Sequence, residues 1–109
     1  MNRIRKVSKL DRLRRLAEQK PGEPFPHYGL AMEHKRLGDL EMAIQTFQQL
    51  VQKFPDYTAA YFHYGSSLLA AGKEEAACSV LKKGIETAAR NGDNHARDEL
   101  QALLSDLQE

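Results

Sequence analysis

The chain has 109 residues, of which 41% are hydrophobic and 28% charged, ordinary values for a helical domain with one modest core. No apolar run approaches the ~20 residues that span a bilayer, and residues 1–20 lack the apolar stretch of a secretory signal. The expectation is a soluble, cytoplasmic protein with no internal disulfide, since Cys78 is the single cysteine.

Residues 1–20 read as a basic N-terminal helix. Leu10, Leu13, Leu16 and Ala17 fall at helical spacing among Arg and Lys. Ser8 is the candidate N-cap, which leaves 1–7 as a frayed start. Pro21-Gly22-Glu23-Pro24 ends this helix, because proline donates no helical N–H and restricts the residue before it. A second helix begins near Pro24 or Pro26 and runs to about Leu37, where Gly38-Asp39 breaks it. Asp39 caps a third helix over 40–53, and Phe54-Pro55-Asp56 makes a turn. The fourth helix spans about 58–71, up to Gly72. The fifth spans about 74–90, up to Asn91-Gly92. Asp93 or Asn94 caps a last helix that ends near Leu107. No segment alternates apolar and polar residues as a half-buried strand would. The chain reads as all-α, with short connections between antiparallel neighbours.

The net charge of +1 hides an asymmetry. Residues 1–20 carry eight Lys or Arg against Asp11 and Glu18, whereas residues 21–109 carry eight against thirteen acidic groups. Attraction between a basic arm and an acidic body favours docking of the arm, most strongly at low salt.

A period of 34 residues runs through the sequence. Gly38, Glu41 and Ala43 recur as Gly72, Glu75 and Ala77, while Leu16 and Pro21 recur as Leu50 and Pro55. A competing offset of 36 aligns His27-Tyr28-Gly29 with His63-Tyr64-Gly65, but it misaligns the turn glycines, the small residues and both prolines. Fixed periods of this length signal stacked helical hairpins.

These residues resemble the tetratricopeptide repeat, whose pattern is W-x2-L-G-x2-Y, then A-x3-F, then P. The first copy fills the slots with His27, Leu30, Ala31, His34, Ala43, Phe47 and Pro55. The second fills them with Tyr61, Tyr64, Gly65, Leu68, Ala77 and Leu81, with Ala89 in the proline slot. Neither copy has the tryptophan, His34 replaces the usual tyrosine, and without its proline the second copy's last helix runs on toward Arg90. The resemblance implies an α-α superhelix of about six helices and one domain over 1–109. Residues 1–20 correspond to a half repeat, 24–57 and 58–91 to two repeats, and 93–108 to a capping helix with an apolar stripe of Leu100, Leu103, Leu104 and Leu107.

The resemblance also implies a non-catalytic protein–protein interaction module. In this family the first helices of the repeats line a concave groove. The matching positions are Phe25, Tyr28, Met32, Lys35 and Arg36 in the first copy. In the second they are Ala59, Phe62, His63, Ser66 and Leu69. Two aromatics one repeat apart, a methionine and a basic rim suit an extended peptide or an amphipathic helix. Packing of Tyr28 and Phe62 against the flanking helices is the plain structural alternative. One branch of the family grips C-terminal carboxylates with a Lys/Asn/Arg clamp. Tyr28, Met32 and His63 stand where that branch has Lys, Asn and Asn, which argues against that mode.

Other readings carry less. His27 and His34 lie seven residues apart, whereas a helical zinc pair uses i, i+4 spacing, so no metal and no cofactor are expected. Cys78, next to Ala77, reads as a buried, inert thiol. The basic arm, with Arg12, Arg14 and Arg15, has the charge to meet nucleic acid phosphates. It lacks interleaved aromatics for base stacking, and its leucines are claimed by the repeat. It has no Trp or Phe to anchor a membrane helix. No G-x-S-x-G, P-loop or C-x-x-C is present, and Glu41 and Glu75 suit helix N-termini better than chemistry. The alternatives to peptide capture are a homodimer and a nucleic-acid accessory role for the basic helix.

Overall fold

The computed structural model describes residues 8–108, so the expected frayed start over 1–7 lies outside the described residues. Among them run six helices and no strand: α1 (Lys9–Gln19), α2 (Pro24–Arg36), α3 (Leu40–Lys53), α4 (Ala59–Ala70), α5 (Glu74–Arg90) and α6 (Asn94–Gln108).

The helix ends follow from side-chain and backbone chemistry. Ser8 Oγ accepts from the Asp11 amide at 3.0 Å, Asp39 Oδ1 from Met42 at 3.2 Å and Asp93 Oδ1 from Ala96 at 3.1 Å. Each satisfies an amide that the first helical turn leaves free. Gly38 adopts φ +81, a left-handed conformation that costs glycine little. There the Asp39 amide donates to His34 O and the Gly38 amide to Lys35 O, closing the helix in a Schellman motif. The same pair of bonds recurs around Gly72 and Gly92. α5 has 17 residues against 14 for α3, as the missing second proline allows.

Consecutive helices pack as antiparallel neighbours from α1 through α6. In addition, α2 touches α4 and α4 touches α6. Among the described residues, α1 and α3, or α3 and α5, make no such approach. The stack therefore curves, with α2, α4 and α6 inside and α1, α3 and α5 splayed outside. Its radius of gyration is 15.3 Å, above the ~13 Å of a compact chain of this length.

Two linked clusters form the core. The first gathers Ala31, Ala43, Phe47, Leu50, Ala60, Tyr64, Leu68 and Ala77. The second gathers Tyr61, Leu81, Ala88, Leu100 and Leu104. Leu100 and Leu104 of the terminal helix are nearly fully buried, each contributing about 1.5–3 kcal/mol by leaving water. Leu103 and Leu107 pack partly buried beside them. Close approach of α4 and α5 requires a missing side chain at Gly84, where a Cβ would lie 2.6 Å from Tyr61 Cβ. Cys78 corrects an expectation. It is half-buried, because one residue past fully buried Ala77 turns a side chain about 100° around the helix, toward the edge of the packed face.

α1 docks on α2 through Ala17, with Leu10, Leu13 and Leu16 half-buried. A polar latch sits beside this contact. Glu33 is 4% exposed. Arg36 donates to its two oxygens at 2.8 and 2.6 Å, and Lys9 of α1 stands 3.9 Å away. The Arg36 hydrogen bonds, with the nearby positive charges, hold the Glu33 carboxyl below its ordinary value of 4.5 despite its burial. A depressed carboxyl pKa stabilises the fold above the unfolded value, and that stability is lost as pH falls through the folded value. The unfolding temperature of the wild type should therefore drop below about pH 4.5. Glu33→Gln should be less stable at neutral pH and lose less on acidification. Equal acid slopes in a thermal melt series would refute the latch.

Candidate functional site

The inner helices α2, α4 and α6 bring their facing side chains onto the concave surface. Tyr28 of α2 meets Tyr57 edge-on with ring centroids 5.6 Å apart, touches Phe47 at 6.4 Å and lies 6.2 Å from His63 of α4. Phe62 packs edge-to-face on His63 at 5.4 Å. Such edge contacts hold rings in fixed orientations. Tyr28, Phe62 and His63, with Ala59 of α4 and Ala96 and Glu99 of α6, border a hollow of about 250 Å³. The Tyr28 hydroxyl is pushed up by burial and then by neighbouring Tyr57, so it stays a neutral donor and acceptor.

A polar bridge ties α2 to α4 beside this hollow. The Lys35 ammonium donates to Ser66 Oγ at 2.9 Å and to His63 Nδ1 at 3.2 Å. Ser66 Oγ donates to the His63 carbonyl at 3.2 Å. An ammonium has no acceptor, so Nδ1 must accept and the neutral His63 ring carries its proton on Nε2. Burial pushes the His63 pKa below 6.5, Lys35 pushes it further, and Glu99 opposes them. Burial also lowers the Lys35 pKa. Among the described residues no carboxylate pairs with Lys35.

The residues expected in a groove distribute unevenly. Tyr28, Phe62 and His63 converge on the hollow, and Lys35 and Ser66 join them through hydrogen bonds. Met32 and Leu69 pack partly buried on the first core cluster. Phe25 is 67% exposed at the start of α2 and does not border the hollow. Arg36 is engaged by Glu33, on the side of α2 that meets α1. Sequence reasoning missed Ala96 and Glu99. Ala96 lies 34 residues after Phe62, so continuing the period by one step would have pointed to α6.

A curved stack of repeated antiparallel hairpins defines an α-solenoid. Tetratricopeptide repeat profiles match residues 27–57 and 58–91. Among solved structures, a tetratricopeptide repeat domain protein from Salinibacter ruber is similar in its solution form. It is 31% identical, covering 80% of this chain and 88% of that one, with TM-score 0.76. A crystal structure of a tetratricopeptide repeat domain protein from the same organism gives 30% identity, 79% and 96% coverage and TM-score 0.75. A protein from Bordetella parapertussis shares the fold at 20% identity, with 94% and 90% coverage and TM-score 0.80. A search of curated proteins returns no match. The chain belongs to the tetratricopeptide repeat family, whose repeats generally mediate protein–protein interaction and are typically non-catalytic. No helix among the described residues is long and apolar enough to cross a membrane.

The polar bridge gives His63 a definite titration. Its lowered pKa means that the fold favours the neutral ring, so this contribution is complete above 6.5 and is lost as pH falls through the folded value. An NMR titration should place its midpoint below 6.5. Lys35→Gln should raise that midpoint and Glu99→Gln should lower it further. A midpoint at or above 6.5, unmoved by Lys35→Gln, would refute the bridge.

Proposed function

We propose that the chain is a non-catalytic adaptor that captures a peptide segment or amphipathic helix on the concave face of α2, α4 and α6. The single observation that carries this reading is that Tyr28 and Phe62, one repeat apart in sequence, border the same hollow. Apolar side chains of the ligand would rest on these rings, and an acidic group would meet Lys35, which lacks a carboxylate partner among the described residues. Met32, Ser66 and Leu69 extend the surface along the inner helices. Phe25 lies at the start of α2, beyond the hollow, and Arg36 would have to leave Glu33 to reach a ligand. The repeats over 24–57 and 58–91, the half repeat before them and the cap over 93–108 act as one domain in this reading. A cytoplasmic location accords with the single cysteine.

Desolvation supports a ligand with apolar anchors. Aromatic rings held rigidly at low conformational entropy are the usual anchors of interfaces. An exposed salt bridge alone adds little, so Lys35 sets orientation and register more than affinity.

Selection from a random peptide library on the immobilised wild type should yield sequences with paired apolar residues. Tyr28→Ala with Phe62→Ala should lower affinity for a selected peptide at least tenfold, with helicity retained by circular dichroism. Unchanged affinity would overturn the groove. Concentration-dependent sedimentation, with the same variant converting dimers to monomers, would favour self-association. RNA binding that collapses as salt rises would favour the basic helix instead.

A further inference from the structure

On the convex side, α1 and α3 stand apart above α2, and a second hollow of about 300 Å³ lies between them. Its wall brings together Arg14 of α1, His27 and His34 of α2, and Thr46, Gln49 and Lys53 of α3. Leu30, Leu50 and Phe54 supply apolar surface, and no lining residue is acidic.

The polar lining has a cause in the sequence. His27 and His34 stand 34 residues before Tyr61 and Leu68. In the second copy Tyr61 is 1% exposed, seats its ring stem against Gly84, and donates its hydroxyl to Pro55 O at 2.6 Å. Leu68 is buried as well. The first copy puts an imidazole where the second has a phenol, and a second imidazole where it has leucine. Two imidazoles therefore line the hollow where the second copy has a buried phenol and a leucine.

Those polar atoms lack partners. His27 Nε2 is buried with no hydrogen bond. His34 is 4% exposed, and its ring makes no hydrogen bond. His27 Nε2 is enclosed by the protein itself, whereas the His34 ring is left open to a partner from outside the chain. The two cations at the rim hold only weak or neutral partners. Arg14 meets half-buried Asp11 at 3.5 Å. Lys53 Nζ donates to Pro21 O at 2.6 Å and stands 5.7 Å from the Phe54 ring centroid.

We propose that this convex hollow is a binding site for a small organic anion. Its apolar body lies on Leu30, Leu50 and Phe54. Its carboxylate or equivalent group faces Arg14 and Lys53 and takes a hydrogen bond from the His34 ring. The volume sits at the lower end of the range for small-molecule pockets, which limits the ligand to a single ring or short branched acid. The site is separate from the concave face and does not depend on the reading given to it.

Benzoate is the probe. Titrated into the full isotope-labelled chain, it should shift the ring signals of His27 and His34 to saturation, leave those of His63 and His95 in place, and raise the unfolding temperature. Benzamidinium, with the same body and the opposite charge, should produce no saturable shift. His34→Leu copies the residue of the second repeat and should keep the fold while weakening benzoate binding at least tenfold. Arg14→Glu, at an exposed position, should weaken it several-fold without touching the core. No saturable shift at millimolar benzoate would mean that water alone fills the hollow and would overturn the proposal. Equal binding of benzamidinium, or wild-type affinity in both variants, would overturn it too.

Discussion

The distance at which successive helices cross governs everything else in this chain. α2 and α3 meet over Ala31 and Ala43, both fully buried, and α4 and α5 meet over buried Gly65 and Ala77. Nothing larger fits at those points without forcing the helices apart, and overpacked cores lose roughly 1–3 kcal/mol. Short glycine turns such as Gly38 hold each pair antiparallel, and large residues such as Phe47 and Leu81 fill the space beside the crossings. The two copies balance volume differently. The first sets His27 beside Leu50, and the second sets Tyr61 against Gly84.

From close inner packing and splayed outer helices come two surfaces of different chemistry. The concave side gathers Tyr28, Phe62 and His63 and stitches α2 to α4 through Lys35. A lysine donating to a histidine that must accept keeps that ring neutral, so a cation remains beside the aromatic floor, and among the described residues no carboxylate pairs with it. The convex side opens between α1 and α3, where the first copy places two imidazoles. Lys9 of α1 meets the Glu33 that Arg36 holds in place on α2, and with buried Ala17 it seats α1 over the first repeat as one wall of that opening. The terminal helix serves the other end by burying Leu100 and Leu104 against the second repeat.

Much of this was legible in the sequence because helix ends are written locally. Ser8, Asp39 and Asp93 announce their helices by side-chain chemistry, and Gly38, Gly72 and Gly92 announce the stops. The recurrence of Leu16 and Pro21 pointed to a helix ahead of the first repeat, and α1 lies there. What was not legible depends on contacts between distant residues or on the phase of a helix. The Lys35 bridge joins residues 28 and 31 positions apart, and no local pattern encodes it. Arg36 looked like a groove residue by position, but a buried carboxylate three residues earlier takes its guanidinium. Cys78 missed burial by the rotation of one residue. The convex hollow was hidden because His27 and His34 read as slot fillers, and only the separation of α1 from α3 opens a space beside them.

The central claim is that the concave face is where this solenoid meets its partner. Amide chemical-shift mapping with a peptide selected on the wild-type chain tests it most directly. The account predicts that saturable shifts cluster on α2, α4 and α6 around Tyr28, Phe62, His63 and Glu99, with intermolecular contacts to the two aromatic rings. Shifts confined to α1, α3 and α5, with the Tyr28 and Phe62 rings untouched, would contradict it.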